Sequence, residues 1–139
     1  MLPFSRIKHI CLDVENIEEA EALFTRILGV SSTGIRTLHL DDTKGVVKNT
    51  FFHLEKGSIE LAYHDLPDSW GDSPINRGPG FHHVAFEVPN FDEALSELAE
   101  KGITPLPQFP MKTPHGRVAF FHPDQTGGIL IELSEMETP

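Results

Sequence analysis

From Lys8 to Val14 polar and apolar residues alternate. His9, Cys11 and Asp13 fall on one side and Ile10, Leu12 and Val14 on the other, which predicts a β-strand with its apolar side against helices. The segment His83 to Val88 repeats the pattern, with His83, Ala85 and Glu87 opposite Val84, Phe86 and Val88. Each strand runs into an asparagine suited to cap a helix, Asn16 or Asn90, followed by acidic residues that complement the positive end of a helix dipole. Helices are expected from Glu18 to Leu28 and from Asp92 to Lys101, ending near Gly29 and Gly102. Short β-like runs follow, Phe51 to Leu54 and Ile59 to Tyr63 after the first helix, Arg117 to Phe121 and Gly128 to Leu133 after the second. Lys56-Gly57 reads as a turn, and a weaker strand is expected at about Gly34 to Leu40. Another is expected around Ile103 to Met111, where three prolines favour a sheet edge.

These elements form a repeat. Lys8 to Asn16 aligns with His82 to Asn90 at a constant offset of 74 (83 minus 9), and Glu19-Ala20 matches Glu93-Ala94. The expected organisation is one domain over residues 1–139, with module one at about 5–66, a connecting loop at about 67–80 and module two at about 81–134. The stretch from Asp65 to Gly80 is rich in Pro, Gly and Asp, yet Trp70 and Ile75 are apolar anchors that favour an ordered loop over a free linker.

Composition narrows the classes. With 39% hydrophobic and 23% charged residues the chain is globular in type. A net charge of -10 opposes nucleic acid as a partner. The absence of a long apolar run, and of basic and apolar signal regions in Met1 to Ser5, leads to the expectation of a cytoplasmic protein with no membrane partner. Cys11 is the only cysteine, so an internal disulfide and a cysteine zinc cage are both excluded, and a metal would have to use His, Asp or Glu.

Four such residues sit at repeat-related places: His9 and Glu60 in the first copy, His83 and Glu132 in the second. The His-to-Glu separations are 51 residues (60 minus 9) and 49 residues (132 minus 83). A lone strand histidine is usually hydrogen-bonded structure. Packing gives no reason for polar residues to recur at matching strand positions, whereas a shared cation would neutralise both acids. Two nitrogens and two oxygens suit one divalent ion of borderline character: cobalt, manganese, nickel, iron or zinc.

The paired modules and the four candidate ligands resemble the vicinal-oxygen-chelate, or glyoxalase, superfamily across nearly the whole chain. That resemblance implies an α+β fold in which two tandem βαβββ modules form curved mixed sheets around a metal-bearing cleft, with ligands on the first and last strands of each module. Within the superfamily the second half is similar to the methylmalonyl-CoA epimerases, in Gly80 to Val88 and His122 to Leu133. Weaker matches are Asp72-Ser73-Pro74-Ile75 and His115-Gly116. The similarity implies a metal-dependent acyl-CoA epimerase, probing the carbon beside a thioester carbonyl through an enolate, with an acid/base group on each face. Glu132 is a candidate for one of these besides its ligand role. For the other, the epimerases carry a Glu in a segment that aligns with Leu40 to Val46, where this chain has none; either Asp41 or Asp42 substitutes, or both are solvated turn residues.

Other readings remain open at this stage. Glyoxalase I uses a similar site on a glutathione hemithioacetal, and lactoylglutathione formation would identify it. A ring-cleaving dioxygenase would use iron with two His and one Glu, leaving Glu60 surplus. A non-catalytic small-molecule binder would need no metal. Lys48, Arg77, Lys112 and Arg117 are cations available to CoA phosphates, none of them assigned. A homodimer is expected, since it would cover sheet edges. His39, His53 and His64 read as surface or strand residues, His122-Pro123 as a turn, and His82 as facing away from His83.

Overall fold

The computed structural model describes residues 4–40 and 45–136. Its elements follow the order β1 (Arg6–Asp13), α1 (Ile17–Leu28), β2 (Arg36–His39), β3 (Val46–Leu54) and β4 (Gly57–Asp65), then β5 (Gly80–Val88), α2 (Phe91–Glu100), β6 (Met111–Thr113), β7 (Gly116–Phe121) and β8 (Ile131–Glu135). This is βαβββ twice. The chain divides into two compact units, one of residues 9–82 and one joining the residues before His9 to those from His83 onward.

In the first unit the strands are ordered β2-β3-β4-β1. β1 is parallel to β4, and β4, β3 and β2 are antiparallel in turn. The parallel pair requires a long crossover, which α1, β2 and β3 supply. Asn16 caps α1 as expected, its Oδ1 accepting from the Glu19 N–H at 3.0 Å, and Gly29 ends the helix at φ 72. Leu12 and Val14 pack with α1 residues Ala20, Phe24 and Leu28 onto the buried Ile17, Phe52 and Leu61. Ile10 departs from this pattern and is exposed.

β3 begins at Val46, five residues before the expected start, because Lys48, Asn49 and Thr50 interrupt the apolar pattern by which a strand is recognised. The loop after β4 is ordered: it carries a short 3-10 helix at Asp68–Trp70, and Ile75 is buried. Gly45, at φ 99, lies so close to the Pro67 ring that a side chain there would collide with it.

The second unit has the matching order β5-β8-β7-β6, with β5 parallel to β8 and the remaining pairs antiparallel. Asn90 caps α2 through the Glu93 N–H at 3.1 Å. Val88, Phe91, Ala94, Ala119, Phe121 and Leu133 form its core. The residues before His9 bond within this unit: the Ser5 N–H donates to the Glu87 carbonyl at 2.8 Å, and Lys8 Nζ donates to Ser134 Oγ at 3.0 Å.

Two expected strands are corrected. Residues 103–110 hold only an isolated bridge, Pro105 to Phe121, because prolines lack the N–H that a ladder needs; the strand forms at Met111–Thr113, on the edge as anticipated. β8 starts at Ile131 rather than Gly128, since Thr126 and Gly128 N–H groups donate back to the Pro123 carbonyl and close a turn.

Arg117 on β7 ties this unit together. Its guanidinium lies 4.8 Å from the Phe91 ring centroid, and it donates to Asp92 Oδ1 at 2.8 Å and to Glu135 Oε2 at 2.9 Å. Those hydrogen bonds hold both carboxyls below their ordinary range. A lowered carboxyl contributes stability above its unfolded pKa, about 4, and loses it as pH falls through the folded value. Arg117→Met removes the guanidinium, and with it both the fork and the contact with the Phe91 ring. Its urea midpoint should fall below wild type at pH 7, with the gap closing in acid; a gap unchanged by pH would contradict the charge argument.

Candidate functional site

The repeat places its polar residues by register. In the first unit Cys11 faces Glu60 across the parallel strands, and in the second Ala85, 74 residues later, faces Glu132 in the same way. In each case the histidine lies two residues upstream of that partner and therefore on the same face. His9 Nε2 stands 3.0 Å from Glu60 Oε1, and His83 Nε2 stands 2.8 Å from Glu132 Oε1. The structure thus brings together His9 with Glu60 and His83 with Glu132. Asp41 and Asp42 lie outside the described residues.

All four side chains are buried: His9 is 5% exposed, Glu60 7%, His83 2% and Glu132 6%. A carboxylate so far from water is costly unless a proton or cation compensates it. A neighbouring imidazole meets that need when protonated. The same nitrogen and oxygen atoms are of the kinds that would hold a metal ion with no proton between them. The donor set therefore fits a borderline divalent ion.

Sequence reasoning missed residues that orient these pairs. Phe51 pairs with Glu60 across β3 and β4, and its ring meets His9 edge-on with centroids 5.4 Å apart. Phe120 pairs with Glu132 and meets His83 edge-on at 5.0 Å. Both phenylalanines occupy the same register position, a signal visible only after the hairpins are aligned. Asn49, on the same face of β3 as Phe51, donates from Nδ2 to Glu60 Oε2 at 2.9 Å.

A second histidine cluster lies within the first unit. His64 Nδ1 meets Asp13 Oδ1 at 2.8 Å, and His82 Nε2 lies on the Ile75 carbonyl and 3.8 Å from Asp13 Oδ2. A carbonyl only accepts, so His82 Nε2 carries the proton, and an ionised Asp13 requires a proton on His64 Nδ1. The two rings stack at 4.4 Å and 12°. Ligand lone pairs lie in the ring plane, so rings this nearly parallel do not both point at one ion. His64, bonded to Asp13, stacks on His82, which is bonded to the Ile75 carbonyl, and together they form a pin that holds the connecting loop at Ile75.

Three further histidines match their plain readings. His39 and His53 are exposed on strands, and His122 Nδ1 accepts from the Asp124 N–H at 3.1 Å in a turn. Among the cations considered for phosphate, Arg117 is engaged by Asp92 and Glu135. No described helix is long and apolar enough to cross a membrane.

Residues 8–121 match the family model of the glyoxalase/bleomycin resistance protein/dioxygenase superfamily, and the chain belongs to that superfamily. Within it, the chain is epimerase-like. It is 34% identical to the mitochondrial methylmalonyl-CoA epimerase of Bos taurus over 137 residues, covering 94% of this chain and 74% of that one. It is 28% identical to the uncharacterized protein YqjC of Bacillus subtilis, covering 94% and 92%. Among solved structures, a variant of Streptomyces coelicolor methylmalonyl-CoA epimerase in complex with 2-nitronate-propionyl-CoA superposes with a TM-score of 0.71 at 21% identity, covering 98% of this chain and 100% of that one.

Asp13→Ala leaves the half-buried His64 without the acceptor that holds it. Urea denaturation should show a loss of about 1.5–3 kcal/mol. Wild-type stability in this variant would contradict the pin.

Proposed function

We propose that this protein is a metal-dependent epimerase of acyl-CoA thioesters, with methylmalonyl-CoA or a close homologue as substrate, and that the two modules act as one domain. The observation that carries this reading is the pair of buried His–carboxylate contacts at repeat-related positions, in a chain whose relatives include methylmalonyl-CoA epimerases. His9, Glu60, His83 and Glu132 together hold one divalent cation. When bound, that cation supplies positive charge opposite the negative charge that develops on a thioester oxygen as the α-proton departs.

The chain's own groups move the proton. Glu132 accepts it from the α-carbon on one face, a task open to a carboxylate whose surroundings hold its pKa near working pH. The intermediate is planar at that carbon, and a proton delivered to the other face inverts the centre. That delivery falls to Asp41 or Asp42, the carboxylates of the segment where the epimerases carry a glutamate. Burial of the His–Glu pairs excludes bulk water, which strengthens the local field.

Metal-loaded protein given one epimer of methylmalonyl-CoA in heavy water should place deuterium on the α-carbon and produce the other epimer. Absence of exchange above a metal-free control would refute the activity. His83→Ala should lower the rate roughly 100- to 1,000-fold, in the range for removal of a group that stabilises developing charge. The double variant Asp41→Asn with Asp42→Asn separates the two faces: it should still exchange the α-proton of one epimer while losing interconversion. Full interconversion by this variant would assign the second proton to another group.

A further inference from the structure

We propose that Asn49 is a positioning residue that fixes Glu60 as a ligand through one oxygen and so distinguishes the two otherwise equivalent carboxylates. The inference rests on the metal reading above.

Three observations support it. Asn49 sits in the interior of β3, where asparagine is disfavoured and a β-branched or aromatic residue is the ordinary choice. It pairs with Ala62, so it is the diagonal neighbour of Glu60 on one face, and it places its amide nitrogen 2.9 Å from Glu60 Oε2. Since a carboxylate only accepts, the NH2 side of the amide must face it, which settles the amide orientation. Glu60 Oε1 is the oxygen that meets His9 Nε2 at 3.0 Å. The two oxygens therefore have separate duties, Oε2 to the amide and Oε1 to the imidazole side.

The repeat provides an internal control. Phe51 faces Glu60 as Phe120 faces Glu132, and Asn49 faces Ala62 as Val118 faces Ser134. The residue corresponding to Asn49 in module two is thus Val118, which has no donor and is what a strand ordinarily carries. Packing alone would be served by valine in both copies. The amide at this position of module one holds Glu60 to a fixed ligand role, because its hydrogen bond to Oε2 restricts the carboxylate's rotamers. Val118 makes no such demand on Glu132, in keeping with the proton-moving role given to Glu132.

The test uses apo protein titrated with cobalt(II) in competition with a chelator, read also by the visible absorption of the bound ion. Asn49→Leu, close in size, and Asn49→Thr, a strong strand former whose hydroxyl is too short to reach Glu60, both delete the donor. Each should weaken cobalt affinity about tenfold or more, as loss of a residue supporting a ligand does, and alter the absorption band. His53→Ala, an exposed change on the same strand, should bind cobalt as wild type does. Thermal melts of the apo proteins accompany the titrations, so a purely structural asparagine would lower the melting midpoint and leave affinity intact. Wild-type affinity in a folded Asn49→Leu or Asn49→Thr variant would overturn the role of Asn49 alone. No cobalt binding by the wild-type protein would overturn the metal reading with it.

Discussion

A buried carboxylate beside a buried imidazole, held across two parallel strands, is the constraint on which each module depends. Glu60 and Glu132 are each withdrawn from water on a last strand, and each must meet a positive partner or remain protonated. The parallel register that sets Cys11 against Glu60 and Ala85 against Glu132 provides that partner two residues upstream. A one-residue slip would turn each histidine to the opposite face. The crossover through helix and hairpin is what makes the parallel pairing possible, and so what brings each histidine beside its acid.

Much of this was legible in the chain. The offset of 74 between the two histidine strands exposed the modules, and the asparagine caps with their trailing acids marked both helix starts. Nearly equal His-to-Glu spacing pointed to the four side chains that the structure joins in two pairs. What stayed hidden depended on hydrogen bonds between distant residues. Asn49 and Thr50 fell outside the strand expected at Phe51 to Leu54, because polar residues in a strand make sense only once their partners on β4 are known. His64 gave no sign of its bond to Asp13, 51 residues earlier. The prolines between Ile103 and Met111 suggested an edge, and the edge is there, but their missing N–H groups moved the strand itself to Met111–Thr113.

The modules share a register yet differ in chemistry, and the differences fall where function would require them. Module one adds an amide to its acid and a histidine pin to the loop that follows; module two has valine at the amide position and places Arg117 between α2 and β8. A duplicated scaffold can in this way keep two equivalent His–carboxylate pairs while surrounding them differently. Membership of the superfamily accounts for the scaffold, and the local departures belong to this chain.

The proposed function requires that the two His–carboxylate pairs serve one ion in common. Metal content per chain, measured after loading and dialysis for wild type, His9→Ala and His83→Ala, tests it most directly. The account predicts one ion per wild-type chain and a loss of tight binding in both variants. Two ions per wild-type chain, or a full ion retained when either histidine is removed, would contradict it.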